Sequence, residues 1–360
     1  MSENQENGKL AADRRVVLVN PTKHLGNLLV SLGLIQHACA HWRQQGTHVL
    51  LVFDETYRNL LGHALAGEHI VYYPRKAIES AVSWRKLFFY LGVVAEIRRF
   101  RAQIALDMEG DSVSSLLTRL SGASQRIGSY EAKYPRRYHR LSRPRPQPHE
   151  YYKYHQVIAT QFPLDTLPPH YGKVSAVPTM PKITTVIDQQ IAGDKNRVIA
   201  IHAGATKTKK MWPVPHFSAL IQLLRQAGYT VVLIGAGSVD KEVNEQINRA
   251  LTEAGDKPVI DLCNQLSLLE LIDFLKRCCF YIGNDSGPMH LASALHVPGI
   301  ALFGASNEKL WGPLSTTTDV MRGQACEPDC NRGYSCRVNY RCLAALIPQQ
   351  VAARVKQRLA

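Results

Sequence analysis

Residues 283–290 read Gly-Asn-Asp-Ser-Gly-Pro-Met-His and mark a point where a strand passes into a helix. An apolar run at 278–282 precedes them and has the length of a buried parallel strand. Ser286 suits the N-cap of the helix that follows, and Pro288 suits its first turn, where a missing N–H costs nothing. The segment therefore predicts a strand–helix junction, which is either a plain capped turn or an anion site.

The same alternation of strands and helices runs through the whole chain and predicts two α/β halves. Apolar runs predict strands at 15–20, 48–53, 70–73, 104–107, 197–202, 230–234, 258–261, 279–282 and 299–303. Helical spacing of apolar residues predicts helices at 28–46, 77–100 and 214–226. This rhythm is typical of parallel sheets covered by helices on both faces, with ligands at the carboxyl ends of the strands.

The length of 360 residues indicates two domains. We expect a disordered N-terminus over 1–14, a first domain over 15–165, a linker over 166–195, a second domain over 196–345 and a C-terminal helix over 346–360. Residues 126–155 carry many Arg and Tyr side chains without a sustained period, which predicts a long basic surface loop, either functional or merely solvated.

Composition narrows the functional classes. The chain is 45% apolar and 20% charged, as in ordinary globular proteins, and no apolar run nears the ~20 residues that span a bilayer. The polar N-terminus lacks the apolar core of a signal peptide, which predicts a cytoplasmic protein. The net charge of +14 favours an anionic partner, but no nucleic-acid-binding motif accompanies it.

Four of the eight cysteines, Cys326, Cys330, Cys336 and Cys342, fall close together. In a cytoplasmic chain such a cluster indicates metal or redox chemistry before disulfides. Their spacing does not form the paired C-x-x-C hooks of a zinc ribbon, so a metal site and a structural knot of thiols or disulfides both stay open.

A second candidate phosphate-binding loop follows the 197–202 strand. The chain has neither a G-x-G-x-x-G fingerprint nor a G-x-x-x-x-G-K-[ST] loop, which argues against a dehydrogenase or a P-loop enzyme. Residues 203–213 instead combine small residues with Thr206 and Lys210, which suit close backbone approach and a diphosphate charge. Since this loop and the Asp285 loop follow strands of the same half, we expect both to face one ligand.

These motifs, taken in order, resemble the lipopolysaccharide core heptosyltransferases of glycosyltransferase family 9. The resemblance rests on a strand–loop–helix around Gly26, L-D-M-E-G at 106–110, R-I-G at 126–128, K-M-W-P at 210–213, D-S-G-x-x-H at 285–290 and L-F-G at 302–304. It covers roughly residues 15–355 and includes the Cys-rich tail. It implies a GT-B fold, in which two Rossmann-like parallel-sheet domains face each other across a cleft.

The resemblance also implies an inverting transfer of heptose from ADP-heptose to the lipopolysaccharide inner core, without a cofactor or catalytic metal. The second domain would hold the nucleotide-sugar donor; the first would hold an anionic lipid-linked saccharide acceptor, with peripheral contact to the inner membrane face. By matching motifs, Lys210, Ser286 and Gly287 would contact the diphosphate, Asp285 would hold sugar hydroxyls and His290 would border the pocket; Thr206 lies in the same loop as Lys210.

One position departs from the family pattern. Gly26 is normally followed by Asp, the general base, but this chain has Asn27. Asn caps a helix as well as Asp does, so we expect Asn27 to keep the local fold while losing the proton-accepting role. The base could have moved to Glu109 or Asp111, or to His24, of which we favour Glu109 and His24.

Two other hypotheses compete with lipopolysaccharide core transfer. The Asn27 substitution would suit a non-catalytic relative that binds sugar nucleotide and regulates core assembly. A metal in the cysteine cluster would suit a protein heptosyltransferase, whose acceptor is a polypeptide.

Overall fold

The computed structural model describes residues 14–161, 168–174, 178–181, 183, 185, 189, 191, 197–304, 306–323 and 341–360. The chain forms two compact units, Met1–Lys173 and Val174–Ala360. The boundary between the units falls inside the segment 166–195 that the sequence marks as a linker.

The first unit is built on a six-stranded parallel sheet of order β3-β2-β1-β4-β5-β6. Its strands are β1 (Arg15–Asn20), β2 (His48–Asp54), β3 (His69–Tyr73), β4 (Ile104–Asp107), β5 (Gln125–Gly128) and β6 (Arg140–Leu141). Its helices are α1 (Leu25–Gln44), α2 (Arg58–Ala64), α3 (Arg75–Ser80), α4 (Ser83–Arg99), α5 (Ser112–Leu120) and α6 (Glu150–Ile158).

The central strands of this unit are apolar at consecutive positions because helices cover both faces of the sheet. In β1, Val16 to Val19 are all fully buried. Leu18 pairs with Leu51 of β2 on one side and with Leu106 of β4 on the other. Buried polar residues therefore appear in these strands only at their carboxyl ends, at Asn20, Asp54 and Asp107.

The second unit repeats the plan with the order β12-β11-β10-β7-β8-β9, again all parallel. Its strands are β7 (Val198–His202), β8 (Thr230–Leu233), β9 (Ile260–Asp261), β10 (Phe280–Asn284), β11 (Gly299–Leu302) and β12 (Thr318–Met321). Its helices include α7 (Val214–Gln226), α8 (Ser238–Glu253), α9 (Leu268–Lys276), α10 (Gly287–Ala294), α11 (Glu308–Trp311), α12 (Arg341–Ala344) and α13 (Pro348–Leu359).

Both sheets have the strand order of a dinucleotide-binding fold, and the order reverses between β1 and β4 and between β7 and β10. The predicted α/β class with parallel sheets is confirmed. Loops that follow the two strands at such a reversal diverge to opposite faces of the sheet and leave a crevice for a ligand. The C-terminal helix α13 packs Val351 and Val355 into the core of the second unit.

The prediction of a surface loop over 126–155 is wrong. This segment contains β5, β6 and α6, and Tyr138, Tyr151 and Tyr154 are buried in it. A tyrosine ring can be buried when its hydroxyl finds a hydrogen-bond partner, which the Tyr138 and Tyr154 hydroxyls find in carboxylates. The spacing of Tyr151, Tyr154 and Ile158 is helical, a signal hidden by the charged residues between them.

Smaller differences follow from short elements. The helix predicted over 77–100 is broken at Ala81 and Val82, which have extended backbones between α3 and α4. Strand β12 was missed because TDVM at 318–321 carries an acidic residue in a short run. Within the described residues, no helix has the length and apolar character that a bilayer span requires.

The turn that follows β4 depends on Gly110, which has a φ of +73°. A Cβ there would lie 2.9 Å from the backbone Cα of Ala132. We expect Gly110→Ala to lower the free energy of unfolding by roughly 2–4 kcal/mol, because a left-handed backbone and a backbone clash add together.

The matched control is Gly46→Ala. Gly46 has a similar φ of +69°, but a Cβ there meets nothing within 4 Å, so about 1 kcal/mol is expected. Denaturant unfolding of the two variants measures the difference, and equal losses would contradict the clash argument.

Candidate active site

Asn284, at the carboxyl end of β10, ties together the two loops that the sequence singled out in the second unit. Its Oδ1 accepts a hydrogen bond from the backbone N–H of Trp212 at 3.0 Å. Its Nδ2 donates to the carbonyl of Ala203 at 2.6 Å, just beyond the end of β7. Asn284 is fully buried, so these bonds fix both loops against the strand ends.

The structure brings Lys210 and Asp285 together. The Lys210 ammonium lies 2.6 Å from Asp285 Oδ2, and both side chains are largely buried. Ser286 takes the predicted N-cap position of α10, and Pro288 lies in the first turn. The Ser286 hydroxyl caps none of the N–H groups of that turn. A cationic side chain and a helix N-terminus thus share the edge of the sheet between β7 and β10.

A buried chain of hydrogen bonds holds the Ser286 side chain. Ser286 Oγ lies 3.0 Å from His202 Nδ1, and His202 Nε2 lies 3.0 Å from Asp240 Oδ2. Burial raises the pKa of Asp240, but the hydrogen bond and charge of His202, together with the N–H of Ala236, outweigh it and leave the pKa lowered. An ionised Asp240 therefore orients the imidazole toward Ser286.

Sequence reasoning missed His202, Asp240 and Asn284 as site residues. His202 and Asn284 are polar residues that end buried apolar runs, a signal that could have found them. Asp240 gives no such signal, since it lies in the first turn of α8. A Cβ on Gly204 would clash with the Asp240 carboxylate, so the small residue in this loop makes room for a protein side chain.

Three further candidates lie beside this ion pair in the sequence: Thr206 in the loop, and Gly287 and His290 in α10. Thr206 is exposed in the loop before Lys210. Gly287 is the first residue of α10, adjacent to Ser286. His290 is buried within the same helix.

In the first unit, Asp107 at the end of β4 organises the equivalent turn. Its Oδ1 accepts hydrogen bonds from the N–H groups of Glu109 and Gly110, at 3.0 and 2.8 Å. Its Oδ2 accepts from the Tyr138 hydroxyl at 2.6 Å. Burial raises the pKa of Asp107 to about 6, and these hydrogen bonds oppose that rise.

The Tyr154 side chain joins Glu109 to Asn27. The Tyr154 hydroxyl donates to Glu109 Oε1 at 3.1 Å and is also hydrogen-bonded to the side chain of Asn27. Burial raises the pKa of Glu109, and the charge of Glu150 adds to this, whereas Lys153 and the Tyr154 hydrogen bond oppose it. A carboxylate with a raised pKa, partly exposed at a switch point, has the properties of a general base.

The expectation that Asn27 caps a helix is wrong. Helix α1 begins at Leu25 and its N-cap is His24, so Asn27 is the third residue of the first turn. Its amide is then available to Tyr154, because α1 packs against α6. His24 is exposed and its side chain caps nothing in α1. Asp111 is the N-cap of α5 and accepts from the N–H groups of Val113 and Ser114, a structural role.

Three residues of the cysteine cluster, Cys326, Cys330 and Cys336, lie outside the described residues. Cys342 is buried in α12. In the described part of the chain, no group of three His, Cys, Asp or Glu side chains has the arrangement of a metal site.

A comparison with protein families gives the assignment. The family described as "Glycosyltransferase family 9 (heptosyltransferase)" matches residues 92–339, more than half of the chain. The chain belongs to glycosyltransferase family 9. The matched region includes the Glu109 turn, the Lys210 loop and the 283–290 segment, so the family assignment made from these motifs is confirmed.

Curated relatives are similar to parts of this family 9 member. Lipooligosaccharide heptosyltransferase 2 of Haemophilus influenzae is 35% identical over 113 residues, 31% of this chain and 32% of the relative. Lipopolysaccharide heptosyltransferase 2 of Salmonella typhimurium is 31% identical over 142 residues, covering 39% of this chain and 40% of the relative. These matches thus span about a third to two fifths of the relatives' length.

Solved structures share the fold over nearly the whole chain. The ADP-heptose lipopolysaccharide heptosyltransferase II of E. coli aligns over 96% of this chain and 98% of its own, with a TM-score of 0.74 and 20% identity. A glycosyltransferase family 9 structure from Veillonella parvula aligns over 96% and 97%, with a TM-score of 0.77 and 20% identity. The expected GT-B fold class is confirmed by these likenesses.

The raised pKa of Asp107 predicts a pH-dependent stability difference. The folded protein holds this proton up to about pH 6, whereas the ordinary value is 3.8. The protonated Asp107 carboxyl therefore makes its whole contribution to the free energy of unfolding below about pH 4, and this contribution is lost as the pH rises through 6. We expect Asp107→Asn, which cannot titrate, to gain up to about 3 kcal/mol relative to the wild type across this window.

Denaturant unfolding of both proteins between pH 4 and 7 measures the difference. A constant offset from altered hydrogen bonds is expected as well, so the change with pH is the test. The exposed Glu96→Gln is the control and should show far less change; a pH-independent difference for Asp107→Asn would contradict the assignment.

Proposed function

We propose that this protein is an inverting glycosyltransferase that moves a heptose from ADP-heptose to the inner core of lipopolysaccharide. The proposal rests on the ion pair between Lys210 and Asp285. This pair lies beside the start of α10, where the strand order reverses between β7 and β10. Family membership and the likeness to lipopolysaccharide heptosyltransferases support the choice of sugar and acceptor.

The donor would bind to the second unit. Its diphosphate would replace Asp285 as the ion-pair partner of Lys210. It would also accept hydrogen bonds from the first-turn N–H groups of α10 and from the Ser286 hydroxyl. Asp285, once released, is free to accept hydrogen bonds from sugar hydroxyls. Positive charge and N–H groups at this place stabilise the leaving diphosphate, so the reaction requires no catalytic metal in this proposal.

The acceptor would bind to the first unit, and the net charge of +14 of the whole chain suits a phosphorylated saccharide. Glu109 is the general base in this proposal. Its carboxylate takes the proton of the acceptor hydroxyl as the oxygen attacks the anomeric carbon and ADP departs with the electrons of the breaking bond. Tyr154 holds this carboxylate in place and is itself hydrogen-bonded to Asn27, which gives the amide at the family's usual base position a positioning role.

A cytoplasmic location, with peripheral contact to the inner membrane, belongs to the same proposal. In this proposal the acceptor is anchored at that membrane face, and the donor is a charged nucleotide sugar. The alternative of a polypeptide acceptor depends on a metal in the Cys326–Cys342 region; metal analysis of the purified protein under reducing conditions tests it.

The reaction itself is tested by adding ADP-heptose to the purified protein with a truncated, heptose-deficient core acceptor. We expect a core oligosaccharide one heptose heavier by mass spectrometry, together with released ADP. Core from a deletion strain should lack the same heptose. Absence of transfer from a protein that still binds ADP-heptose would favour the non-catalytic relative and overturn the proposal.

Substitutions separate the candidate bases. Glu109→Gln keeps an oxygen for the Tyr154 hydroxyl but cannot take up a proton, so we expect kcat to fall by about 100- to 10,000-fold. His24→Gln should change kcat little because that side chain is exposed to solvent, whereas Glu109 is held by the Tyr154 hydroxyl. Asn27→Asp should give no large gain, since a base is already present.

The control for these variants is Glu96→Gln, which removes an exposed carboxylate of the same unit. A large loss in His24→Gln with normal activity in Glu109→Gln would move the base to His24. A large gain in Asn27→Asp, with Glu109→Gln unchanged, would show that no substitute base operates.

A further inference from the structure

Helix α4 has two apolar stripes, and only one of them is buried. Tyr90, Val93, Val94 and Ile97 pack against the core of the first unit at helical spacing. A second stripe, Trp84, Leu87, Phe88 and Leu91, repeats the same i, i+3, i+4, i+7 spacing on a different face. Each of these four side chains is at least half exposed, and Phe88 reaches 70%.

Val82, just before the helix, is exposed as well. Five of the nine large apolar side chains that are exposed in the described residues fall within residues 82–91. The other four, Tyr130, Val239, Val320 and Ile347, are far apart in the sequence. Isolated apolar residues are normal on a surface, but a contiguous patch on one helix indicates a binding surface.

The charge around the patch identifies its partner. Residues 76–91 carry the exposed basic residues Lys76, Arg85 and Lys86 against one Glu. Arg85 lies over the Trp84 ring at 5.1 Å, and Lys86 is exposed beside it. A helix that presents Trp, Phe and Leu among basic side chains suits an anionic bilayer, where the rings enter the interface and the cations meet headgroups. Docking of this face on the same face of a second copy would bring like charges together, which disfavours a dimer.

The patch lies at the edge of the sheet that carries the candidate base. Strand β3 ends at Tyr73, and α3 follows at once. Arg75 of α3 pairs with Asp54 at the end of β2 and donates to the Pro21 carbonyl just beyond β1. The N-terminal half of α4 therefore starts from the carboxyl edge of the sheet, the edge at which Asn27 and Glu109 lie.

We propose that residues 82–91 form a docking surface for the anionic lipid bilayer. The helix lies in the plane of the interface with Trp84, Leu87, Phe88 and Leu91 inserted among the acyl chains. Its use, to meet an acceptor anchored in the same bilayer, rests on the proposed function; the binding itself does not.

The test is flotation of the purified full-length protein with vesicles of phosphatidylcholine alone or mixed with phosphatidylglycerol. We expect binding to the mixed vesicles that weakens with salt, and much weaker binding to the neutral ones. The triple variant Leu87→Gln, Phe88→Gln, Leu91→Gln should bind at least tenfold less. The matched control, Val239→Gln with Ile347→Gln, removes exposed apolar side chains elsewhere and should bind as the wild type does.

Two further readouts locate the contact. Trp84 fluorescence should shift to shorter wavelength on vesicle addition. Trp42 and Trp212 are buried, and the half-buried Trp311 belongs to the second unit, so the shift should vanish in Trp84→Phe. The triple variant should keep the wild-type unfolding temperature and its ADP-heptose affinity, because the substituted side chains lie outside the candidate site.

Equal vesicle binding by the triple variant and the wild type would overturn the proposal, as would no binding to either vesicle. A concentration-dependent dimer that the triple variant loses, without vesicle binding, would assign the face to a second copy and also overturn it. The outcome is separable from the proposed function: vesicle binding without heptose transfer refutes only the function, and transfer without vesicle binding refutes only the docking surface.

Discussion

The side chain of Asn284 is the contact on which the candidate donor site depends. It ends β10 in the middle of a parallel sheet, and its amide bonds to the Trp212 N–H on one side and the Ala203 carbonyl on the other. A buried amide satisfied at both ends cannot move without leaving polar atoms unpaired. The loops after β7 and β10 are therefore held together, which brings Lys210 to Asp285.

Asp107 has the same place and role in the first unit. It ends β4, the strand that corresponds to β10 in the repeated strand order. Its carboxylate accepts hydrogen bonds from N–H groups of the turn that carries Glu109. Both units thus use a buried polar residue at the strand beside the switch point to shape a loop. The two residues differ in charge. Burial raises the pKa of the Asp107 carboxyl, whereas the amide of Asn284 does not titrate.

Much of the fold could be predicted because short apolar runs such as 15–20 and 104–107 have the length of strands buried on both faces and alternate with helical patterns. The segment 126–155 could not be predicted, because its apolar content is carried by tyrosines among arginines and lysines. Burial of Tyr138 and Tyr154 depends on Asp107 and Glu109, which are distant in sequence. Sequence periodicity does not record such hydrogen bonds. The sequence therefore predicts exposure for the tyrosines that contact Asp107 and Glu109.

The sequence by itself determined the two parallel-sheet halves, the family and the residues of the donor loops, because buried strands and short motifs leave local patterns. It also showed that Asn27 stands where a proton acceptor is expected. Only the tertiary structure decided that Asn27 lies inside the first turn of α1 and meets Glu109 through Tyr154. It also decided which stripe of α4 is buried, since two faces of equal spacing are equivalent until one packs against the sheet.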